Sequence, residues 1–198
     1  DPGPILIEPE SKNTAPAILA AAIYAQANHK DAVLIVSPSD HVIPDTIAFH
    51  DAILSGVKEV LLGKIVTFGI TPTYPETGYG YLSVSKQLKH QSMVVKRFLE
   101  KPDTITAESM IKAGTYLWNA GIFLFKASDM IDAFRNLAPD TLKLVSEAVE
   151  TATVDLGFLR INPNPWAKLK DISIDYAIME KAKNLVVIPF NSKWSDLG

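Results

Sequence analysis

The chain has 198 residues, 47% of them hydrophobic and 21% charged, with a formal net charge of -3. That is enough for one domain with a sizeable core, and it lacks the basic surplus that a nucleic-acid partner requires. Cysteine is absent, which excludes disulfides and thiolate metal sites. No apolar run approaches the ~20 residues that cross a bilayer, and no charged-then-apolar leader opens the chain, so the reading is a soluble, cytoplasmic protein with no membrane partner.

Asp1-Pro2-Gly3-Pro4 runs straight into an apolar pattern, and the chain stops at Gly198 in a loop-like stretch, so both ends read as cut. Residues 5–7 form a short strand. Thr14 caps a helix to residue 27, with Pro16 in its first turn, where the missing N–H costs nothing. Residues 32–36, AVLIV, are too few for a helix and show no one-sided period, which predicts a central strand buried on both faces and ended by Pro38. Strand, helix and strand make a βαβ unit, and Asp40 falls just beyond its last strand.

Asp45 or Thr46 opens a second helix, with Ile47, Ile53, Leu54, Val57, Val60 and Leu61 on its inner side and Gly63 as its terminator. A strand at 65–70 precedes the breaker-rich TPTYPETGYGYL, after which strands are predicted at 79–84 and 93–99. A helix runs from Asp103 or Thr104 to Ala113. The strand at 116–126 contains Asn119-Ala120-Gly121, small and polar residues that signal a close approach to the backbone. Helices at 128–136 and 139–151, a Pro/Asn-rich connector at 162–165, a helix at 174–181 and a strand at 185–189 complete the chain. No internal repeat is present. The pattern is an α/β fold with a predominantly parallel sheet.

The polar residues that need explaining, Glu8, Asp40, Glu100, Lys101 and Asn119, follow or interrupt apolar runs, which in such a fold brings them to one rim. Asp40 and Asp196, without a histidine or cysteine cluster, suit a hard, oxygen-seeking cation such as Mg²⁺ better than zinc, and Mg²⁺ implies phosphates. Each residue also has a plainer reading. Asp40 and Asp196 make good turn residues, Glu100 and Lys101 a surface ion pair beside Pro102, and Asn13 and Thr14 helix caps.

Seven stretches carry a resemblance: EPESKNTAPAI at 8–18, SPSDH at 37–41, GYGYL at 78–82, FLEKPD at 98–103, WNAGIFLF at 118–125, SIDYAIMEK at 173–181 and WSDLG at 194–198. In this order they resemble the mannose-1-phosphate guanylyltransferases, sugar-1-phosphate nucleotidyltransferases whose bacterial form is often fused to a mannose-6-phosphate isomerase. The resemblance implies a Rossmann-like, GT-A-like nucleotidyltransferase fold: a mixed, mostly parallel sheet with helices on both faces. Residues 1–198 then form a partial domain whose first strand and glycine-rich phosphate loop lie upstream of Asp1, and the chain alone is expected to be inactive.

The implied reaction joins GTP and mannose 1-phosphate into GDP-mannose and pyrophosphate, and the resemblance is compatible with a homodimer. It makes Asp40 and Asp196 the Mg²⁺ ligands, sets Lys101 on the sugar phosphate, and gives Glu100 and Asn119 the sugar hydroxyls. Gly80 lets a backbone N–H approach the sugar. Glu8 is the guanine reader, since N1–H and the N2 amino group form adjacent donors that one carboxylate accepts together. Asn13 and Thr14 add contacts to the base, and His41 is assigned only a structural hydrogen bond. Two rivals remain. A nucleotide-sugar glycosyltransferase normally carries Asp-x-Asp where this chain has Ser39-Asp40-His41. A nucleotide-sugar-binding regulatory relative has less need for two metal carboxylates.

Overall fold

The computed structural model describes residues 3–85 and 92–197; Asp1, Pro2 and Gly198 lie outside the described residues. In chain order the elements are β1 (Ile5–Ile7), α1 (Thr14–Asn28), β2 (Val33–Val36), β3 (His41–Val42), α2 (Thr46–Val60), β4 (Ile65–Ile70), β5 (Tyr81–Ser83), β6 (Met93–Val94), β7 (Arg97–Leu99) and α3 (Thr104–Ala113). There follow β8 (Tyr116–Lys126), α4 (Ala127–Leu137), α5 (Pro139–Glu150), β9 (Thr153–Asp155), β10 (Phe158–Arg160), α6 (Pro163–Trp166), a π-helical turn (Asp175–Met179), β11 (Leu185–Pro189) and β12 (Ser195–Asp196). Contacts divide the chain into two compact units, Asp1–Ala32 with Ala127–Lys181 and Val33–Lys126 with Ala182–Gly198.

In the first unit α1 packs against α4 and α5. Its buried residues Ala15, Leu19, Ala20 and Ala22 are mostly small, which permits close helix approach. The N-cap is Asn13 rather than Thr14: the Asn13 side chain accepts from Thr14 N at 2.9 Å, while the Thr14 hydroxyl accepts from Ile174 N at 2.9 Å. Pro16 therefore sits one position deeper than expected, still within the turn whose N–H groups lack helical partners. A hairpin the sequence did not announce joins β9 to β10, with β1 parallel to β10 on its other edge. Its turn is Leu156-Gly157, with φ of 50° and 84°, and a leucine in the left-handed region hides the usual Asn-Gly signal. The predicted helix at 174–181 is a single π-helical turn.

The second unit is built on a seven-stranded mixed sheet ordered β6-β11-β4-β8-β5-β7, with β2 also on β8. The expectation of a mostly parallel sheet is wrong here: among the described residues only β4 and β11 of this sheet pair in parallel, and its other ladders are antiparallel. The reason is β8. Its Leu124 pairs with Ile35 of β2 on one side and Val66 of β4 on the other, so this long strand separates β2 from β4, and the predicted βαβ unit does not form, since β1 pairs with β10 in another sheet.

Nor is β2 buried on both faces, since Val33 and Ile35 are 41% and 42% exposed. The run of β-branched residues reports strand propensity, not burial. Helix α2 covers Val66, Phe68, Ala120, Ile122 and Leu124 with Ala52 and Val60. Ile47, Leu54 and Leu61, predicted to face inward, are exposed at 75%, 64% and 74%. Small Ala52 and Gly56 take the innermost positions, and a Cβ on Gly56 would lie 2.9 Å from Leu124. Helix α3 packs Ala107 and Met110 against Tyr81 and Trp118.

Candidate functional site

The second unit brings together two acidic residues that lie far apart in its sequence. Beyond β2 the chain turns through Ser37-Pro38-Ser39 and re-enters a two-residue ladder, β3, whose antiparallel partner is β12. In that ladder Asp196 lies opposite His41 and Ser195 opposite Val42, and Leu197 N donates to the Asp40 carbonyl at 3.3 Å. Asp40, His41 and Asp196 each offer one ligand atom within 4.8 Å of the others. Asp40 is exposed, whereas the Asp196 and His41 side chains are 28% and 7% exposed. Contrary to the sequence reading, a histidine therefore stands with the two acids; the two carboxylates, reachable from solvent and with no thiolate beside them, fit a hard divalent cation.

A chain of aromatic contacts connects this corner to the loop that carries Gly78 and Gly80. Trp194 Nε1 donates to His41 Nδ1 at 3.3 Å, and the two rings meet edge to face. Trp194 meets Tyr79, and Tyr79 meets Trp118, both with ring centroids 5.4 Å apart. Burial pushes the Tyr79 phenol above its ordinary value, and Tyr74 and the Asp196 and Glu76 carboxylates add to the shift. A cleft of about 360 Å³ opens along these rings, lined by Thr71, Tyr74, Tyr79, Trp118, Ser192 and Trp194 among others. Sequence reasoning singled out none of these aromatic residues, although three tyrosines within TPTYPETGYGYL were a signal available to it.

Next to Tyr79, Gly80 is buried. A Cβ there would lie 2.5 Å from Glu100 Oε2 and 3.0 Å from the Phe98 ring, so the immediate reason for glycine is the approach of the Glu100 carboxylate. Lys101 adopts φ 48° and its N–H donates to the Tyr79 carbonyl at 3.2 Å, which fixes the Glu100-Lys101 turn against the loop. Asn119 is 8% exposed. Its N–H donates to the Gly80 carbonyl at 2.8 Å, and its Oδ1 accepts from the Thr67 hydroxyl at 2.7 Å. Gly121, at φ 68°, faces His41, and a methyl group in place of its hydrogen would lie 3.8 Å from His41 Cε1. Asp40, Gly80, Glu100, Lys101, Asn119 and Asp196 thus belong to one linked set within this unit.

Glu8, Asn13 and Thr14 belong to the first unit. Glu8 follows β1 and is half-buried, and desolvation raises its carboxyl above the ordinary value. Asn13 adopts φ 65° and donates from Nδ2 to Asp171 Oδ1 at 3.1 Å. With ψ -170° the residue lies outside the left-handed helical well that asparagine tolerates, in a region otherwise occupied almost only by glycine.

No helix among the described residues is long and apolar enough to cross a membrane. The nucleotidyl transferase family model matches residues 4–198. The xanthan biosynthesis protein XanB of Xanthomonas campestris is 43% identical over 197 residues, covering 100% of this chain and 42% of its own length. The mannose-1-phosphate guanylyltransferase RfbM of Salmonella typhimurium is 43% identical over 98% of this chain and 41% of its own length. The chain therefore spans about two-fifths of the curated relatives it matches. Among solved structures, one from Helicobacter pylori described as a mannose-6-phosphate isomerase superposes with a TM-score of 0.88 at 34% identity, covering 98% of this chain and 74% of that one. With a family model spanning nearly its whole length and relatives at about 40% identity, the chain belongs to the nucleotidyl transferase family, as a homologue of the mannose-1-phosphate guanylyltransferases.

Proposed function

We propose that this chain carries the sugar-phosphate side and the metal carboxylates of an enzyme that makes GDP-mannose and pyrophosphate from GTP and mannose 1-phosphate. The observation that carries the reading is the convergence of Asp40 and Asp196 on the β3–β12 ladder, in a chain homologous to enzymes named for that reaction. In the proposed step a mannose 1-phosphate oxygen bonds to the α-phosphorus of GTP while the bond to the bridging oxygen of pyrophosphate breaks in line. The nucleophile is already anionic near neutral pH, because the second pKa of a phosphate monoester is about 6. No general base is needed.

The obstacle is the approach of one anion to another, so the site must align and neutralise. Asp40 and Asp196 would hold Mg²⁺, which when bound offsets phosphate charge and orients the reacting oxygens. Lys101 adds a positive charge beside the sugar phosphate. Glu100 and Asn119 hydrogen-bond the sugar hydroxyls, next to the backbone at Gly80, and the aromatic and hydroxyl-bearing walls of the neighbouring cleft are of a kind that packs against a hexose. Glu8 accepts the two adjacent guanine donors, with Asn13 and Thr14 beside the base.

The test is pyrophosphate release from GTP and mannose 1-phosphate by the intact enzyme. Asp40→Asn is expected to lower kcat by at least about 100-fold with the circular dichroism spectrum unchanged. An unaltered rate would remove the metal assignment. A glycosyltransferase would release no pyrophosphate from this pair, and would instead release GDP from GDP-mannose in the presence of a sugar acceptor.

A further inference from the structure

His41 offers a ring nitrogen within 4.8 Å of a carboxylate oxygen of each acidic residue, and its ring makes contacts that decide which nitrogen carries hydrogen. Nδ1 lies 3.3 Å from Trp194 Nε1. An indole nitrogen donates and never accepts, so Nδ1 must be the accepting nitrogen, and the neutral ring carries its hydrogen on Nε2. Nε2 faces Asp196, 4.0 Å from Oδ1. That separation is about 1 Å longer than a hydrogen bond, so a direct bond requires a small movement about the soft terminal torsion of the aspartate. The approach follows from register, since His41 and Asp196 are paired residues of the β3–β12 ladder and paired residues project to the same face.

We propose that His41 is a positioning residue, an imidazole held by the Trp194 N–H in the Nε2–H tautomer, which donates to Asp196 Oδ1 and leaves the other carboxylate oxygen for the cation shared with Asp40. This rests on the reading of Asp40 and Asp196 as metal carboxylates. The competing arrangement makes His41 a third ligand through Nε2. It would move the hydrogen to Nδ1 and set it against the indole N–H, two donors face to face. With the tautomer fixed by Trp194, the protein ligands remain oxygens and the site keeps its preference for a hard cation. Groups that hold a ligating carboxylate by hydrogen bond commonly matter 10- to 100-fold for metal affinity or activity.

Two measurements on the intact protein test this. Nitrogen-15 NMR of the metal-free protein should show the His41 ring as the Nε2–H tautomer, and Trp194→Phe should shift it to a mixture. Electron paramagnetic resonance titration with Mn²⁺ should show affinity about 10-fold weaker in His41→Phe, with most of the loss recovered in His41→Gln, whose side-chain amide can still donate to Asp196. If His41→Phe does not fold, Trp194→Phe takes its place in the Mn²⁺ titration, and weaker binding is again expected. An Nδ1–H ring overturns the proposal, as does Mn²⁺ binding by the first variant that equals the parent's, or a glutamine variant no better than phenylalanine. A parent protein that binds no Mn²⁺ while keeping the Nε2–H tautomer overturns the metal reading itself, and the purpose given to the hydrogen bond falls with it.

Discussion

Glu8 is a carboxylate held partly out of water, and its burial favours the neutral acid. Only the ionised form can accept both guanine donors. On the proposed role of Glu8 as guanine reader, its raised folded-state value means that, as pH falls, guanine-nucleotide affinity should be lost earlier than for an ordinary carboxylate. Calorimetric titration of GDP across the acidic range should show that loss in the parent and none in Glu8→Gln, which should bind GDP roughly 5- to 150-fold more weakly throughout. Unchanged selectivity between GDP and UDP in the variant would place Glu8 away from the base. Gly80 supports a second expectation. A methyl group there would press on Glu100 Oε2 and the Phe98 ring, so Gly80→Ala should cost about 1–3 kcal/mol, and thermal melting together with the KM for mannose 1-phosphate reads the effect. At this scale the sequence made Asp40, Glu100, Lys101 and Asn119 visible as polar residues at the ends or interruptions of strands. The Trp194–His41 hydrogen bond was not visible, because it joins residues far apart along the chain and has no local spacing.

Element boundaries came through well where punctuation was chemical. Asp103 caps α3 by accepting from Thr106 N at 2.7 Å, and Gly114 ends it at φ 66°. That backbone hydrogen bond holds the Asp103 carboxyl below its usual range. A lowered folded-state value contributes stability above the unfolded value and loses it as pH falls through the folded one. Asp103→Ala should therefore melt earlier than the parent at pH 7, and the gap should narrow on acidification into the range where the carboxylate protonates; an equal gap at all pH values would refute the cap's ionic character. Elsewhere composition misled. The apolar run of β2 resembles a two-sided core strand yet leaves Val33 and Ile35 exposed. The outward Ile47, Leu54 and Leu61 of α2 fit a helical period as well as the inward residues do, because periodicity gives the angle between residues but not which side faces the sheet. The β9–β10 hairpin escaped notice because Leu156 occupies a position usually marked by asparagine or glycine.

For the molecule as a whole, the α/β class was legible from alternating strand and helix patterns, while strand direction was not, since it depends on where the long β8 inserts. A cation that binds only the folded state should stabilise it by about 2.7 kcal/mol at a hundred times its dissociation constant, a rise in Tm of roughly 5–10 °C at 2–4 °C per kcal/mol. Differential scanning calorimetry with Mg²⁺ should show that rise, EDTA should reverse it, and Asp196→Asn should abolish it. An identical rise in Asp196→Asn would mean the ion binds elsewhere. The β3–β12 ladder, which ties His41 and Val42 to Ser195 and Asp196, also imposes an order of events during synthesis. A ribosome releases Asp40 early and Asp196 last of this set, so a nascent chain has one half of the proposed ion-binding pair long before the other. The proposed cation site therefore cannot close until β12 leaves the exit tunnel.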